Sequence, residues 1–405
     1  MSRPLPLRHK KNHEEVGINI YPKIEQLRSY VEACDFSGYD PYDALNSPFL
    51  RFLSRKSKWV RIAFMQLLRR CSVNLRPLFG IRKGHNPKGI GLFLSNYAKL
   101  YAVEKKPEYL EKIDYLLSLL EKLRSKGYSG NCWGYNFDWQ SSIVYRPRFT
   151  PTVVNTSFIG HALLDTFEIT KKEYALEMAL AIKDFILKDL NRKKEGNVFC
   201  FSYTPIDHDY VHNANILGAS LLIRLYKLTA NKAIRQTALR SLGYCIKHQR
   251  EDGAWRFAET DLQQWVDSFH TGFILESIRH FLSLGEALEC KENYERGVRY
   301  YAKNFFLEDG TPKYYNNKIY PIDIHSPAEA IYFFSGEGEK YQDLTEKIIN
   351  WMLENMWDKN GYFYFRKTRC LTNKISYMRW SQAWGLRALT EYYFNNNNES
   401  RRISQ

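Results

Sequence analysis

The chain has 405 residues, 44% hydrophobic and 15% aromatic, which is ample for a large buried core. Lysine and arginine number 59 against 44 acidic residues, a formal charge of +15, yet no recognised nucleic-acid motif accompanies that charge and no nucleic-acid partner is expected. No window approaches eighteen uninterrupted apolar residues, the start MSRPLPLRHKKNHEEVG has no apolar core of signal-peptide length, and the cysteines (34, 71, 132, 200, 245, 290, 370) are scattered without a CxxC spacing; these features exclude a membrane-spanning helix, a disulfide framework and a zinc knuckle, and the expected location is cytoplasmic.

Residues 1–20 are polar and basic and read as a flexible arm. Tyr21 to Cys34 reads as a helix, and Asp35 to Asp43 (DFSGYDPYD) as a turn cluster whose carboxyls serve either as caps or in a polar site. Residues 44–103 contain twelve Lys or Arg and no Asp or Glu. Within them Lys58 to Cys71 (KWVRIAFMQLLRRC) has the pattern of a basic amphipathic helix with an interfacial Trp59, a membrane-surface pattern. Lys56, Lys58, Arg61, Arg69 and Arg70 are expected on one exposed face outside any cavity, with residues 51–83 the candidate peripheral contact with acidic lipid at the inner membrane face.

From Asn86 the pattern alternates. Apolar helices at about 88–103, 153–169, 213–229, 267–284, 325–335 and 378–394 are interleaved with charged amphipathic ones at about 107–126, 172–190, 232–249, 288–305 and 339–356. Helix 21–34 supplies a twelfth member that pairs with the last. Each unit opens on a turn (Gly134-Tyr135, Gly196-Asn197, Asp252-Gly253, Asp309-Gly310, Asn360-Gly361), passes an aromatic, polar loop and enters an apolar helix. The anchors Asn155, Asn213, His270, His325 and Gln382 recur about 55 to 60 residues apart, the mark of one supersecondary unit stacked on itself. The last helix is as apolar as the central ones, so the array is expected to close on itself rather than end in polar caps. The expected fold is therefore all-α, a closed ring of helical hairpins with short β-hairpin-like loops at one end. Residues 21–85 form an N-terminal helical segment, 86–396 the ring, and 397–405 a disordered tail.

Gln249-Arg-Glu-Asp-Gly253-Ala-Trp255 has the Q-x-x-x-G-x-W form of α/α-toroid proteins. The whole layout resembles the (α/α)6 barrel shared by six-hairpin glycosidases, several polysaccharide lyases and sugar 2-epimerases. The phrases GYDPYDALNS (38–47), VNLRPLFGIRKGHNPKGIGLFL (73–94) and YMRWSQAW (377–384) are similar to uncharacterised proteins found with bacterial polysaccharide-biosynthesis genes. The resemblance implies an enzyme acting on a poly- or oligosaccharide, anionic or lipid-linked, in surface-glycan assembly: a glycoside hydrolase or polysaccharide lyase. The alternatives are a sugar epimerase or isomerase and a non-catalytic glycan-binding scaffold of a membrane-bound synthesis complex.

In such a ring the loops entering the inner helices gather at one end, and here they are rich in aromatic faces and polar groups, as sugar rings require. Trp139, Asp138, Tyr203, His212, Asn213, Trp255, Trp265, His325, Arg379 and Trp380 are the candidate substrate-binding residues. Asp209 and Asp267 are the candidate general acid and base, with His270 and Tyr377 the candidates for proton abstraction from a uronate. His212, His270 and His325 recur at successive helix mouths, but metal ligands must converge within ~2.0–2.2 Å of one ion, so neither metal nor cofactor is expected.

Overall fold

The computed structural model describes residues 18–142 and 144–403, the last six by backbone alone. Helices α1 (Tyr21–Ala33), α2 (Pro48–Ser54) and α3 (Lys58–Arg70) come first. Helical hairpins follow: α4 (Pro87–Glu104) with α5 (Pro107–Lys122), then α6 (Val153–Thr170) with α7 (Glu173–Leu180) and its continuation α8 (Ile182–Asp184). Next come α9 (His212–Thr229) with α10 (Lys232–Lys247), α11 (Ser268–Ser283) with α12 (Lys291–Asn304), and α13 (His325–Phe334) with α14 (Gln342–Met356). A π-helical segment, Met378–Ala383, leads into α15 (Trp384–Ile403).

Helices α4, α6, α9, α11, α13 and α15 each pack on the next, and α15 returns to α4, which closes the ring. These inner helices are apolar on most of their circumference; in α4 every residue from Pro87 to Leu100 is buried. The outer helices bury one stripe only, as α5 does with Tyr109, Ile113, Leu116 and Leu120. Helix α1 packs on α15 and joins the main core through Ile24, Leu27 and Val31, so it completes the outer layer.

Residues 397–403, expected as a disordered tail, continue α15, with no Gly or Pro to stop it. The arm expected at 1–20 lies, up to residue 17, outside the described residues; Ile20 is buried in the core.

The repeat has a backbone cause. Gly196, Gly253, Gly310 and Gly361, one per unit, have φ of +62°, +97°, +84° and +82°. That is left-handed backbone, reached at little strain only without a Cβ. At Gly253 a Cβ would stand 2.6 Å from the Arg296 carbonyl oxygen. Gln249 Nε2 donates to the Gly253 oxygen at 3.0 Å and to the Asn293 oxygen at 2.9 Å, tying the turn to α12. Trp255 is buried and donates its Nε1 to the Cys245 oxygen at 2.9 Å. It locks the hairpin and is absent from the wall of the main cavity, which corrects its reading as a sugar contact. Gly253→Ala is expected to lower unfolding stability by about 1–3 kcal/mol, measured by denaturant titration.

Candidate active site

A cavity of about 360 Å³ opens where the N-termini of the inner helices converge. Lys88 comes from α4, Val154 from α6, Asn213 from α9, Phe269 and His270 from α11, His325 from α13, and Arg379 with Trp380 from the π-helical segment before α15. Helix N-termini carry partial positive charge, so the ring directs several dipoles at one space. Short antiparallel strands sit in four of the loops leading into the inner helices. β1 (Trp139–Gln140) pairs with β2 (Tyr145–Arg146) before α6. β3 (Arg192–Glu195) pairs with β4 (Val198–Phe201) before α9. The third sheet joins β5 (Ile322–Asp323) to β6 (Arg366–Lys367) and β7 (Thr372–Asn373). Trp139, Tyr203, Trp265, Tyr314 and Tyr315 from these loops give the cavity its aromatic wall.

His270 is held in one orientation. Asp267 is the N-cap of α11, accepting the His270 backbone N–H at 3.1 Å through Oδ1. Its Oδ2 accepts from His270 Nδ1 at 2.7 Å and from Trp265 Nε1 at 3.1 Å. Nε2 is left as the ring nitrogen of His270 free for a ligand. The imidazole is flanked by Phe269, with centroids 4.2 Å apart, and Phe257, at 4.9 Å. Asp267 itself is buried and does not line the cavity, so it positions His270 rather than facing Asp209. Asp267→Asn is expected to lower turnover about tenfold or more and to move the pH profile, with KM little changed, because the amide keeps one acceptor oxygen and puts an NH2 donor where the carboxylate accepted with its second.

The His325 ring also packs against Phe269, at 5.1 Å between centroids, and lies 4.0 Å from Trp380. Neither of its ring nitrogens has a hydrogen-bond partner among the described residues. Burial, and the nearby charges of Lys88 and Arg379, push its pKa well below the ordinary histidine range. Trp380 is fixed by its Nε1 donating to Asp323 Oδ1 at 2.7 Å, while Arg366 holds Oδ2 at 2.9 Å.

The lining is cationic. Arg379 is gripped by Asp40, Nε to Oδ2 at 2.6 Å and Nη2 to Oδ1 at 2.8 Å. Lys88 is buried, and its amine makes no hydrogen bond or ion pair among the described residues; it lies over Phe158 at 4.1 Å and Trp384 at 5.1 Å. Burial, then Arg379 and Arg387, pushes the Lys88 amine well below the ordinary lysine range. Arg69 of α3 also lines the cavity, over the ring of Tyr42 at 4.9 Å. Asp209 is the single acidic residue of the lining, and Arg146 Nη2 takes it at 3.2 Å. Burial raises the Asp209 pKa against the pull of Arg146. Arg146 also donates Nε to Asp207 at 2.8 Å and lies 4.7 Å from the Trp139 ring and 5.1 Å from Tyr203, so it orders two cavity aromatics.

Of the residues singled out in the sequence, Trp139, Tyr203, Asp209, Asn213, Trp265, His270, His325, Arg379 and Trp380 therefore share one space. Others do not. Asp138 is buried and accepts the Arg148 N–H at 2.8 Å, a turn contact. His212 is buried, with Nε2 2.7 Å from Glu259 Oε1, behind the cavity wall. Tyr377 is fully buried, packed against the Arg76 guanidinium at 4.7 Å, and cannot reach a substrate. The expected five-residue basic face also divides. Lys56, Lys58 and Arg70 are exposed, Arg61 bonds Gln140 Oε1 at 2.8 Å, and Arg69 turns inward. Arg69 and Arg70 are neighbours at the end of α3, one facing the cavity and the other the outer surface.

By sequence, the profile of the β-L-arabinofuranosidase (GH127) catalytic domain matches residues 83–261. No curated protein matches the chain. Among solved structures, the GH76 α-mannanase of Bacteroides thetaiotaomicron superposes with a TM-score of 0.62 at 14% identity, over 81% of this chain and 90% of its own. The fold is the (α/α)6 toroid. Cellobiose 2-epimerase of Bacillus thermoamylovorans shares this toroid with a TM-score of 0.59 at 15% identity, over 77% and 88% of the two chains. A polysaccharide lyase shares it at 0.54 and 13%, over 78% and 91%. Toroids thus carry hydrolase, epimerase and lyase names, and the reaction has to be argued from the site.

Proposed function

We propose that the protein is a carbohydrate-active enzyme that moves a proton at a sugar carbon, by elimination or epimerisation, with histidines as its acid and base. The arrangement of His270 carries this reading: Nδ1 bound to Asp267 at 2.7 Å, Nε2 free, and His325 packed against the same Phe269 ring with both nitrogens unbonded. A histidine held this way can serve as a general base, and a second histidine on the same cavity wall with unbonded ring nitrogens can return the proton. Glycoside hydrolysis usually requires two carboxyls flanking the bond. Asp209 alone lines the cavity, it is taken up by Arg146, and Asp267 serves His270.

The substrate we favour is an anionic poly- or oligosaccharide bearing uronate residues. Lys88, Arg69 and Arg379 face a lining with one acid, and a uronate carboxyl both pairs with such cations and acidifies the neighbouring C–H. The aromatic wall suits sugar faces. The resemblance of residues 38–47, 73–94 and 377–384 to proteins encoded with bacterial polysaccharide-biosynthesis genes supports a surface glycan as its source. An open cavity of about 360 Å³ favours an enzyme over a scaffold with a filled centre.

A panel of oligouronates and their neutral counterparts tests the reading. Conversion of the acidic members, giving an unsaturated uronate or an inverted carbon, is the expected result. Release of reducing ends from neutral glycans, lost in Asp209→Asn and kept in His270→Ala, would establish hydrolysis instead.

A further inference from the structure

Large apolar side chains stand out of the surface in one place above all. On the α2–α3 hairpin, Phe49, Phe52, Leu53, Trp59 and Leu67 are between 50% and 66% exposed. On α3 they form a stripe: Trp59, Ala63, Leu67 and Arg70 are exposed and spaced four, four and three residues apart on one helix face, with Lys58 exposed beside Trp59. The opposite side of α3 is anchored by Met65 and Leu68, which pack with Leu45 and Leu50 in a small core of their own. Arg51, Arg55, Lys56, Lys58 and Arg70 are exposed among the apolar groups, and Lys58 Nζ lies 5.0 Å from the Trp59 ring. Residues 44–103 supply no carboxyl to neutralise them. A monomer surface seldom keeps such a patch uncovered without a use for it.

We infer that this hairpin docks the protein on an anionic lipid bilayer, apolar side chains in the interface and basic ones among the headgroups. Charge complementarity selects the occupant. A second copy would bring two like-charged faces together, whereas an acidic headgroup layer satisfies the cations and also accepts the apolar stripe. No described helix is long and apolar enough to cross a membrane, so the contact is peripheral.

Docking this way has a consequence for the site. Lys58 Nζ lies 3.4 Å from the Ser142 oxygen, and both Ser142 and Arg69 line the cavity, so the hairpin that meets the lipid also borders the mouth. The cavity opens beside the headgroups, where a glycan carried on a lipid presents its sugars. The inference stands whichever reaction the cavity performs.

Flotation of the full chain with vesicles tests it. Phosphatidylcholine vesicles containing phosphatidylglycerol are expected to carry the protein up, with at least about tenfold weaker binding to phosphatidylcholine alone and a steep loss between low and physiological salt. The variant Phe52→Ser/Trp59→Ser/Leu67→Ser is expected to bind about tenfold more weakly and keep the salt dependence. The variant Arg55→Gln/Lys56→Gln/Lys58→Gln/Arg70→Gln is expected to lose the preference for anionic lipid. All seven positions are at the surface, so unchanged thermal melts show that folding is intact. Absence of flotation, equal flotation on both lipids, or binding untouched by either variant would overturn the inference. A dimer lost in the serine variant, without flotation, would assign the face to a second copy instead.

Discussion

His270→Ala is expected to lower turnover by about 10²–10⁴-fold, the usual contribution of a positioned general base, with the thermal midpoint nearly unchanged. The fold does not need this imidazole. Its Nε2 bonds nothing, the α11 cap is made by its backbone N–H, and that bond to Asp267 survives the substitution. Truncation also leaves Asp267 its bond from Trp265 Nε1 at 3.1 Å, so the aromatic wall keeps its shape. Turnover within threefold of the wild type would remove His270 from the chemistry.

The second large effect is expected at Lys88, where stability and function pull in opposite directions. The amine is buried without an ion-pair partner among the described residues, and Arg379 and Arg387 add to the cost of charging it. In the unfolded chain a lysine takes its proton below a pH of about 10.4, whereas in the folded protein Lys88 takes it only at lower pH. Between those two values the unfolded state binds more protons, so stability rises with pH there, and the cost of Lys88 is greatest on the low-pH side. Lys88→Met removes that cost. It is expected to raise the thermal midpoint by about 2 °C near neutral pH and to flatten its dependence on pH. The same change is expected to raise KM for an acidic substrate about tenfold or more, because a bound carboxylate is what makes the ammonium favourable in that site. Proton uptake on binding, seen as affinity falling with rising pH in the wild type only, is the accompanying signature. A lower midpoint with unchanged KM would show that Lys88 serves packing alone.

The ring was legible in the sequence because its cause is local. A left-handed glycine in each of four units, an apolar helix after each loop and a charged helix behind it all repeat with one period, and each is a short-range signal. The aromatic wall was legible for a related reason, since Trp139, Tyr203, Trp265 and Trp380 each lie in a segment entering an inner helix. Pairings between units were not. Asp267 has the residue type of an acid catalyst and of an N-cap, and only its distances to His270 and Trp265 show it positioning a base. Asp40 belongs to a turn cluster more than three hundred residues from Arg379, and its grip on that guanidinium is a product of ring closure. Trp255 and His212 occupy loop positions like those of their cavity-lining counterparts but turn into the hairpin joints. Lys88 was not singled out in the sequence, where it is one of twelve basic residues between 44 and 103; only the structure shows it buried on the inner helix α4, without a partner among the described residues.

The claim that histidines move a proton at a sugar carbon is tested most directly by running the reaction on oligouronates in deuterium oxide and following it by proton NMR. The account predicts deuterium entering the carbon beside the uronate carboxyl, or an unsaturated uronate formed with loss of that proton, and neither with His270→Ala. A cleaved glycosidic bond with the carbon-bound protons of the product all retained, at an undiminished rate in His270→Ala, would contradict it.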